Sequence, residues 1–143
     1  MSLKQLTVFV ENKPGALVAI TDTLAEHTVN IRALSIADTQ EFGLLRLIVN
    51  DNDTALAALA EKGYLIKTTD VVGVKIGDQP GKLSTALRVL DEAHINMEYL
   101  YAFMARTERH AYVVLRVADN TAAEGALTAA GFHLITDADV NKL

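Results

Sequence analysis

Two short stretches decide the fold of this chain: Asn12-Lys13-Pro14-Gly15-Ala16-Leu17 and Asp78-Gln79-Pro80-Gly81-Lys82-Leu83. Each follows a strand-like apolar run and opens a helix-like one, and together they hold the only two prolines of the chain. The spacing from Gly15 to Gly81, which we call the short offset, also aligns three further pairs: Ile20 with Ala86, Leu24 with Leu90 and Asn30 with Asn96. The sequence therefore predicts a duplicated unit.

The length of 143 residues fits two small domains, predicted at residues 1–70 and 71–143. Domains of this size are marginal alone, because they bury a limited core. Half of the residues are hydrophobic and only 22% are charged, which indicates additional buried interface. We therefore expect each domain to pack against another domain or a second chain, and we predict a homodimer.

The net charge of −5 argues against nucleic acid and anionic membranes as partners, since both require clustered Lys and Arg. The absence of cysteine excludes disulfides, thiolate metal sites and thiol catalysis. The first five residues do not resemble a leader segment, and no apolar run approaches the ~20 residues of a membrane span. A cytoplasmic protein is expected.

The apolar pattern of the first half predicts the order strand, helix, strand, strand, helix, strand. The predicted strands are Leu3–Val10, Ile31–Asp38, Leu44–Val49 and Tyr64–Thr68. The first helix is predicted from Leu17 to near His27, and its apolar face is formed by Leu17, Ile20, Leu24 and Ala25. The second helix is short, capped near Asp51 and stopped by Gly63.

The second half repeats this order, with strands at Val71–Ile76, Met97–Ala105 and His110–Val117, helices at Leu83–Ala93 and Ala122–Ala130, and a last strand at Ile135–Val140 aligned with Lys67–Val72. We call the number of residues from Gly63 to Gly131 the long offset, and it is two residues larger than the short offset. Two extra residues are therefore expected between the second and third strands of this half. The predicted fold class is α+β, as two ferredoxin-like βαββαβ sandwiches in tandem. Residues 69–76 are β-prone, which predicts directly connected sheets.

The strand Met97–Ala105 carries large side chains on both of its faces. Alternation places Met97, Tyr99, Tyr101 and Phe103 on one side, and Leu100, Ala102 and Met104 on the other. This pattern favours a doubly buried core strand over a platform on which a ligand stacks.

The repeated Pro-Gly loop has the chemistry of an anion site. Glycine permits close approach to the backbone, and the first amides of the following helix lack helical partners and carry partial positive charge. These are the amides of Gly15, Ala16 and Leu17 and those of Gly81, Lys82 and Leu83.

Polar side chains flank both loops. Asn12 or Asp78 can accept hydrogen bonds from an ammonium group, and Asn30 or Asn96, expected beside the same loop, can add an amide. Acceptors next to a carboxylate-binding helix end suit a small zwitterion such as a free amino acid. For a single loop, however, a plain turn with a capped helix is the stronger interpretation.

The repeated Asn/Asp-x-Pro-Gly-x-Leu loop, the Asn-Ile and Asn-Met pairs fifteen residues past each glycine, and the βαββαβ order resemble the ACT domain, here twice in tandem over nearly the whole chain. The similarity is greatest to free-standing bacterial proteins made of two ACT domains. It implies an amino-acid-binding regulatory module that pairs side by side, with ligand near this loop. The implied ligand residues are Asn12, Pro14, Gly15, Ala16, Leu17, Asn30, Ile31, Asp78, Pro80, Gly81, Lys82, Leu83, Asn96 and Met97.

Catalytic and metal-binding patterns are missing from the sequence. The four histidines His27, His94, His110 and His133 lie far apart and fit surface or capping positions, no serine has a nucleophile-elbow context, and no phosphate-binding glycine loop occurs. Asp22, Glu26, Asp91 and Glu92 are expected on solvated helix faces. We therefore expect no catalytic residue, cofactor or metal.

The predicted function is an amino-acid-binding regulatory protein whose ligand alters subunit association or a metabolic partner enzyme. A ligand-free scaffold that uses the same domain pairing is the main alternative. A small enzyme on this fold ranks third, since βαββαβ sandwiches serve many functions.

Overall fold

The structure is a computed structural model that describes residues 3–38, 41–104 and 109–143. In chain order its elements are β1 (Leu3–Glu11), α1 (Ala16–Glu26), β2 (Ile31–Asp38), β3 (Phe42–Val49), α2 (Asn52–Glu61), β4 (Ile66–Gly77), α3 (Lys82–Glu92), β5 (Met97–Ala102), β6 (His110–Val117), α4 (Asn120–Ala129), β7 (His133–Ile135) and α5 (Asp137–Val140). No helix in the described ranges is long and apolar enough to cross a membrane.

The chain forms two compact units. The first unit is Lys4–Thr69, and the second unit is Met1–Leu3 together with Asp70–Leu143. The boundary falls inside β4, a single strand of 12 residues. The separate strands predicted at Tyr64–Thr68 and Val71–Ile76 are therefore wrong, because the β-prone residues between them continue one strand.

The first unit is a sheet with strand order β2-β3-β1-β4. The predicted inward side of β1, formed by Leu6, Val8 and Val10, is confirmed: these residues share a buried core with Ile20 and Leu24 of α1 and with Leu59 of α2. The two helices therefore cover one face of the sheet. The antiparallel pairing of β1 with β3 places Leu6 opposite Leu47 and Glu11 opposite Phe42.

The predicted apolar face of α1 is only half right. Ile20 and Leu24 are buried, but Leu17 is 38% exposed and Ala25 is exposed. Leu17 lies in the first helical turn, next to the exposed loop. Thr23 takes a core position instead, because its hydroxyl donates to the carbonyl of Ala19 at 2.8 Å and so satisfies its polar group inside the protein.

In the second unit β4 pairs with β6, β6 with β5, and β4 also with β7. Its core combines Val74 and Leu115 from the sheet with Leu90 of α3 and Leu127 of α4. Strand β5 ends at Ala102, and the predicted extension reaches Ala105, which lies outside the described residues.

The alternation predicted along β5 is interrupted. A register irregularity between Met97 and Tyr99 turns Met97 toward the same core as Leu100. Tyr101 and Phe103 are buried, which agrees with the predicted core strand, whereas Ala102 and Met104 are exposed. The prediction of two fully buried faces is therefore wrong at this end of the strand.

The predicted last strand at Ile135–Val140 is also wrong. Strand β7 covers His133–Ile135, with Ile135 opposite Gly73 and His133 opposite Lys75, and α5 follows at Asp137–Val140. The carboxylate of Asp139 accepts hydrogen bonds from the amide and hydroxyl of Thr136, both at 3.0 Å. These bonds close a helical turn where the apolar residues alone suggested a strand.

The backbone repeats with the predicted spacing. Helix α3 begins as many residues after the start of α1 as Gly81 lies after Gly15, which is the short offset. The starts of β6 and α4 follow those of β3 and α2 by the long offset, the spacing from Gly63 to Gly131. The two additional residues between the second and third strands are therefore confirmed. Gly63 and Gly131 adopt φ values of 86° and 91° as predicted helix stops, and Asp51 and Asp119 both cap the following helix through a side-chain oxygen.

Candidate functional site

Both Pro-Gly loops adopt the same conformation at the start of a helix. Gly15 precedes α1 with φ of 85°, and Gly81 precedes α3 with φ of 89°; neither helix start has a side-chain cap. A residue with a Cβ is strained at such φ values, so the backbone favours glycine at both positions. The capped helix that a single loop favoured is therefore not observed, and neither Asn12 nor Asp78 caps its helix.

The set of free amides at each helix start is smaller than predicted. The amide of Ala16 donates to the carbonyl of Lys13 at 3.3 Å, and the amide of Lys82 donates to the carbonyl of Gln79 at 3.2 Å. In the described part of the chain, no acceptor is found for the amides of Gly15 and Leu17, nor for those of Gly81 and Leu83. Two of the three predicted amides in each loop thus remain available to an anion.

The residues two positions before each proline anchor the loop through their backbone. The amide of Asn12 donates to the carbonyl of Glu41 at 3.4 Å, and that of Asp78 donates to the carbonyl of Arg109 at 2.9 Å. Each bond ties the Pro-Gly loop to the chain that leads into the third strand of its own unit. Both side chains are exposed.

A cavity of about 400 Å³ lies at the loop of the first unit. We call it the first cavity; it is lined by Val10, Glu11, Lys13, Pro14, Gly15, Ala16, Ala19 and Tyr64. The ammonium of Lys13 lies 2.9 Å from a carboxylate oxygen of Glu11, and both side chains are mostly exposed. The first cavity thus joins apolar walls, one ion pair and the loop backbone, a combination typical of small-molecule sites.

A second cavity of about 370 Å³ lies at the corresponding place in the second unit. It is lined by Lys75, Ile76, Gly77, Lys82, Thr85, His110, Gly131, Phe132 and His133. The short and long offsets align five lining positions of the two cavities: Val10 with Ile76, Glu11 with Gly77, Ala16 with Lys82, Ala19 with Thr85 and Tyr64 with Phe132. The repeat therefore carries a cavity in each unit.

The predicted site residues are only partly brought together. Pro14, Gly15 and Ala16 line the first cavity and Lys82 lines the second, whereas the remaining predicted residues line neither: Asn12, Leu17, Asn30, Ile31, Asp78, Pro80, Gly81, Leu83, Asn96 and Met97. Leu17 and Leu83 follow the loops in the first helical turns and are partly exposed.

The predicted position of Asn30 beside the loop is wrong. The carbonyl of Asn30 accepts from the amide of Asn50, just past the last residue of β3, whereas the loop contacts Glu41, just before its first residue. An eight-residue strand spans about 25 Å, which separates the two sites. Asn96 is placed in the same way, since its carbonyl accepts from the amide of Ala118, just past β6.

Several lining residues were missed at the level of the sequence. Glu11 and Tyr64 in the first cavity, and Lys75, His110 and His133 in the second, lie on other elements than the helix start. All four histidines are exposed, as expected of surface residues. Over the ranges that the structure covers, no group of three or more His, Asp or Glu residues is arranged to hold a metal ion.

The sequence and the fold are shared with known proteins. The family profile described as "ACT domain pair" matches residues 1–143. Among curated protein sequences, none matches this chain at a significant level. The crystal structure of protein BT0572 from Bacteroides thetaiotaomicron is similar over 100% of this chain and 98% of its own, with 36% sequence identity and a TM-score of 0.93.

Two more distant structures share the fold. The regulatory subunit of aspartate kinase from Thermus thermophilus, in its ligand-free form, is 18% identical, with 90% of this chain and 91% of that chain covered and a TM-score of 0.66. The corresponding subunit from Thermus flavus is 20% identical, with 89% and 91% covered and a TM-score of 0.59. The repeated loop, the repeated cavity and the match over the full length together lead to one assignment: the chain belongs to the ACT domain pair family.

Proposed function

We propose that this protein is an amino-acid-binding regulatory protein whose ligand occupies the first cavity, with the second cavity as a further ligand site. The observation that carries the proposal is the cavity of about 400 Å³ lined by the glycine of a Pro-Gly loop whose amides at Gly15 and Leu17 have no acceptor in the described part of the chain. An α-carboxylate in the cavity would accept from the amide of Gly15, and the partial positive charge of the helix start would favour it.

The remaining groups of an amino acid also find partners in the first cavity. The ammonium group of the ligand would lie against the Glu11 carboxylate, which the exposed side chain of Lys13 already approaches. An exposed ion pair of this kind contributes at most about 1 kcal/mol, so Glu11 can accept a second cation. Val10, Ala19 and Tyr64 would receive an apolar side chain.

The arrangement proposed for the whole protein is two ferredoxin-like ACT domains in tandem, residues 1–70 and 71–143, that assemble as a homodimer. Apolar side chains exposed along α1 and the edge strand β2 support an interface between copies: Val18 is 54% and Ile36 51% exposed. The fold shared with the regulatory subunit of aspartate kinase supports a regulatory role toward a metabolic enzyme. Such regulation requires that the ligand favours one state of association over another.

The proposal is tested by calorimetric titration of the full chain with each of the twenty amino acids, in wild type, Gly15→Ala and Gly63→Ala. Both glycines have nearly the same φ, 85° and 86°, and an added Cβ meets nothing within 4 Å at either. Each substitution should therefore cost about 1 kcal/mol of stability. Only Gly15→Ala places the methyl group in the cavity, so only this variant should bind the ligand at least about tenfold more weakly.

Two results would contradict the proposal. No binding of any amino acid at millimolar concentration would favour a ligand-free scaffold. Equal loss of binding in Gly15→Ala and Gly63→Ala would show that the effect comes from stability rather than from the site.

A further inference from the structure

The second cavity differs from the first in charge, although the two occupy equivalent places in the repeat. Two lysines and two histidines line it, at Lys75, Lys82, His110 and His133, and no acidic residue is among its lining residues. The first cavity has one lysine, and that lysine is paired with Glu11. The two cavities therefore present different chemistry to a ligand.

Most of the basic residues replace apolar residues of the first unit. The short offset aligns Lys75 with Phe9, and the long offset aligns His110 with Phe42 and His133 with Leu65. In the first unit these three positions form an exposed apolar group: the rings of Phe9 and Phe42 are 5.8 Å apart, and the amide of Phe9 donates to the carbonyl of Leu65. A patch of the sheet surface has thus changed from apolar to basic between the repeats.

The basic side chains are held close together by the sheet. Lys75 and His133 are direct cross-strand partners on β4 and β7, and His110 is paired with Gly77, two residues further along β4. Direct cross-strand neighbours have Cβ atoms about 4.5–5.5 Å apart, so the side chains of Lys75 and His133 start from adjacent positions on the sheet. An anionic group between them would accept hydrogen bonds from the Lys75 ammonium and from a ring N–H of His133.

Lys82 supplies positive charge to the second cavity from the start of α3. An added Cβ on Gly77 would lie 3.0 Å from Cγ and 3.3 Å from both Cδ and Cε of Lys82, so the lysine stem lies directly over the glycine backbone. The absence of a side chain at Gly77 therefore leaves room for the Lys82 stem beside the cavity, at the start of α3. Lys75 and His133 thus form one basic group of the lining, and Lys82 forms a second.

Neither Asp139 nor Asp78 lines the second cavity. Asp139 lies near enough for His133 to contribute to the lowering of its pKa, but its carboxylate is held by Thr136, whose hydrogen bonds are the main cause of that lowered pKa. Asp78 precedes the loop and does not line the second cavity. A ligand with anionic groups at both ends matches the lining better than a zwitterion, whose ammonium would face lysines.

We propose that the second cavity binds a small dicarboxylate, one carboxylate at Lys75 and His133 and the other at Lys82. The volume of about 370 Å³ lies within the range of small-molecule sites. This inference rests on the proposed function in one respect, that the cavities beside the Pro-Gly loops are ligand sites. It differs in assigning to the second cavity a ligand without an ammonium group.

The experiment compares succinate, butyrate and inorganic phosphate by calorimetric titration of the full chain at constant ionic strength. Succinate and butyrate have the same chain length and differ in one carboxylate. We expect succinate to bind at least about tenfold more tightly than butyrate, which is about 1.4 kcal/mol. Equal affinity for butyrate, or phosphate binding as tightly as succinate, would overturn the proposal, because a single anionic group would then suffice.

Variants on one strand provide the matched control. Lys75→Gln and Lys67→Gln remove the same charge from β4, eight residues apart, and only Lys75 lines the second cavity. Succinate affinity should fall about tenfold in Lys75→Gln and in Lys82→Gln, and remain unchanged in Lys67→Gln. Amide chemical shifts of Gly77 and Gly131 should move with succinate, while that of Gly63 should not. Equal effects in Lys75→Gln and Lys67→Gln would show nonspecific screening and overturn the proposal.

Failure of this inference is distinguishable from failure of the proposed function. Binding of an amino acid that Gly15→Ala weakens, without succinate binding, overturns only the dicarboxylate site. Succinate binding that Lys75→Gln weakens, without binding of any amino acid, supports the dicarboxylate site and overturns the amino-acid function. Absence of both kinds of binding overturns both.

Discussion

Replacement of Gly73 by alanine should destabilise the protein, because the backbone of β7 occupies the space that a side chain would need. Gly73 lies in β4 and is directly opposite Ile135 in β7. A Cβ at this position would lie 2.9 Å from Cδ2 of Leu3, 3.1 Å from Cβ of Ile135 and 3.3 Å from the carbonyl oxygen of Ile135. Favourable contacts between such atoms require about 3.5–4.0 Å.

The cost depends on which neighbours can move. The end of the Leu3 side chain can rotate, but Leu3 is fully buried and its rotation is restricted by the atoms around it. The two Ile135 atoms are fixed to the backbone, so β7 must shift as a strand. Overpacking of a buried site typically costs about 1–3 kcal/mol, which corresponds to a decrease in Tm of about 3–10 °C for a chain of this size.

The same substitution at Gly125 is the matched control. Gly125 is exposed in the interior of α4, and an added Cβ meets nothing within 4 Å. Because alanine favours the helix, Gly125→Ala should stabilise the protein by about 0.5–1 kcal/mol. Urea denaturation would measure both variants, and hydrogen exchange should show faster exchange in β7 for Gly73→Ala alone. A Gly73→Ala stability within about 0.5 kcal/mol of wild type would refute the steric argument.

Two further predictions concern the helix cap of α2 and the assembly of the protein. Thr54 donates its hydroxyl to Asp51 at 2.6 Å and its amide at 3.1 Å, and these bonds lower the pKa of Asp51 below its ordinary value. A carboxyl whose pKa is lowered by folding stabilises the fold above its ordinary pKa and loses this contribution as the pH falls through the lowered pKa. The difference in unfolding free energy between wild type and Asp51→Asn, measured by urea denaturation, should therefore be present at neutral pH and decrease in acid. A difference that does not change with pH would contradict this prediction. Val18→Glu places a charge on the exposed apolar face of α1. Sedimentation velocity should then show a shift from dimer toward monomer, with little change in Tm. An unchanged dimer would exclude this face as the interface.

The elements that the sequence predicted well are those with local causes. Strand β2 was predicted at its observed bounds, and Gly63 and Gly131 end their helices as expected because only glycine adopts the required φ without strain. Because the sequence repeats, the elements predicted in one half could be compared with those predicted in the other. The long offset between the glycine stops was sufficient to place the longer hairpin in the second half.

The errors have nonlocal or competing causes. The C-terminal residues from Ile135 have strand-like composition, but Asp139 reaches back to Thr136 and closes a helical turn instead. The sequence predicts Asn30 beside the loop, at the entry to the second strand, whereas the 11-residue α1 carries the chain about 16 Å from the loop before that strand begins. The residues of β4, β6 and β7 that line the second cavity come together only through strand pairing. A short sequence motif cannot predict such pairing.

The two cavities differ in the sizes of the side chains at the strand end and at the helix start. In the second unit a long side chain at the helix start, Lys82, lies over a glycine at the strand end, Gly77. In the first unit the sizes are exchanged: Glu11 stands at the strand end and Ala16 at the helix start. A lysine at position 16 would need the space that Gly77 leaves open in the second unit, and Glu11 has a side chain there. The presence of a charge at each helix start is therefore coupled to the size of the residue that ends the preceding strand: Lys82 lies over a glycine, whereas Ala16 follows a strand that ends in Glu11.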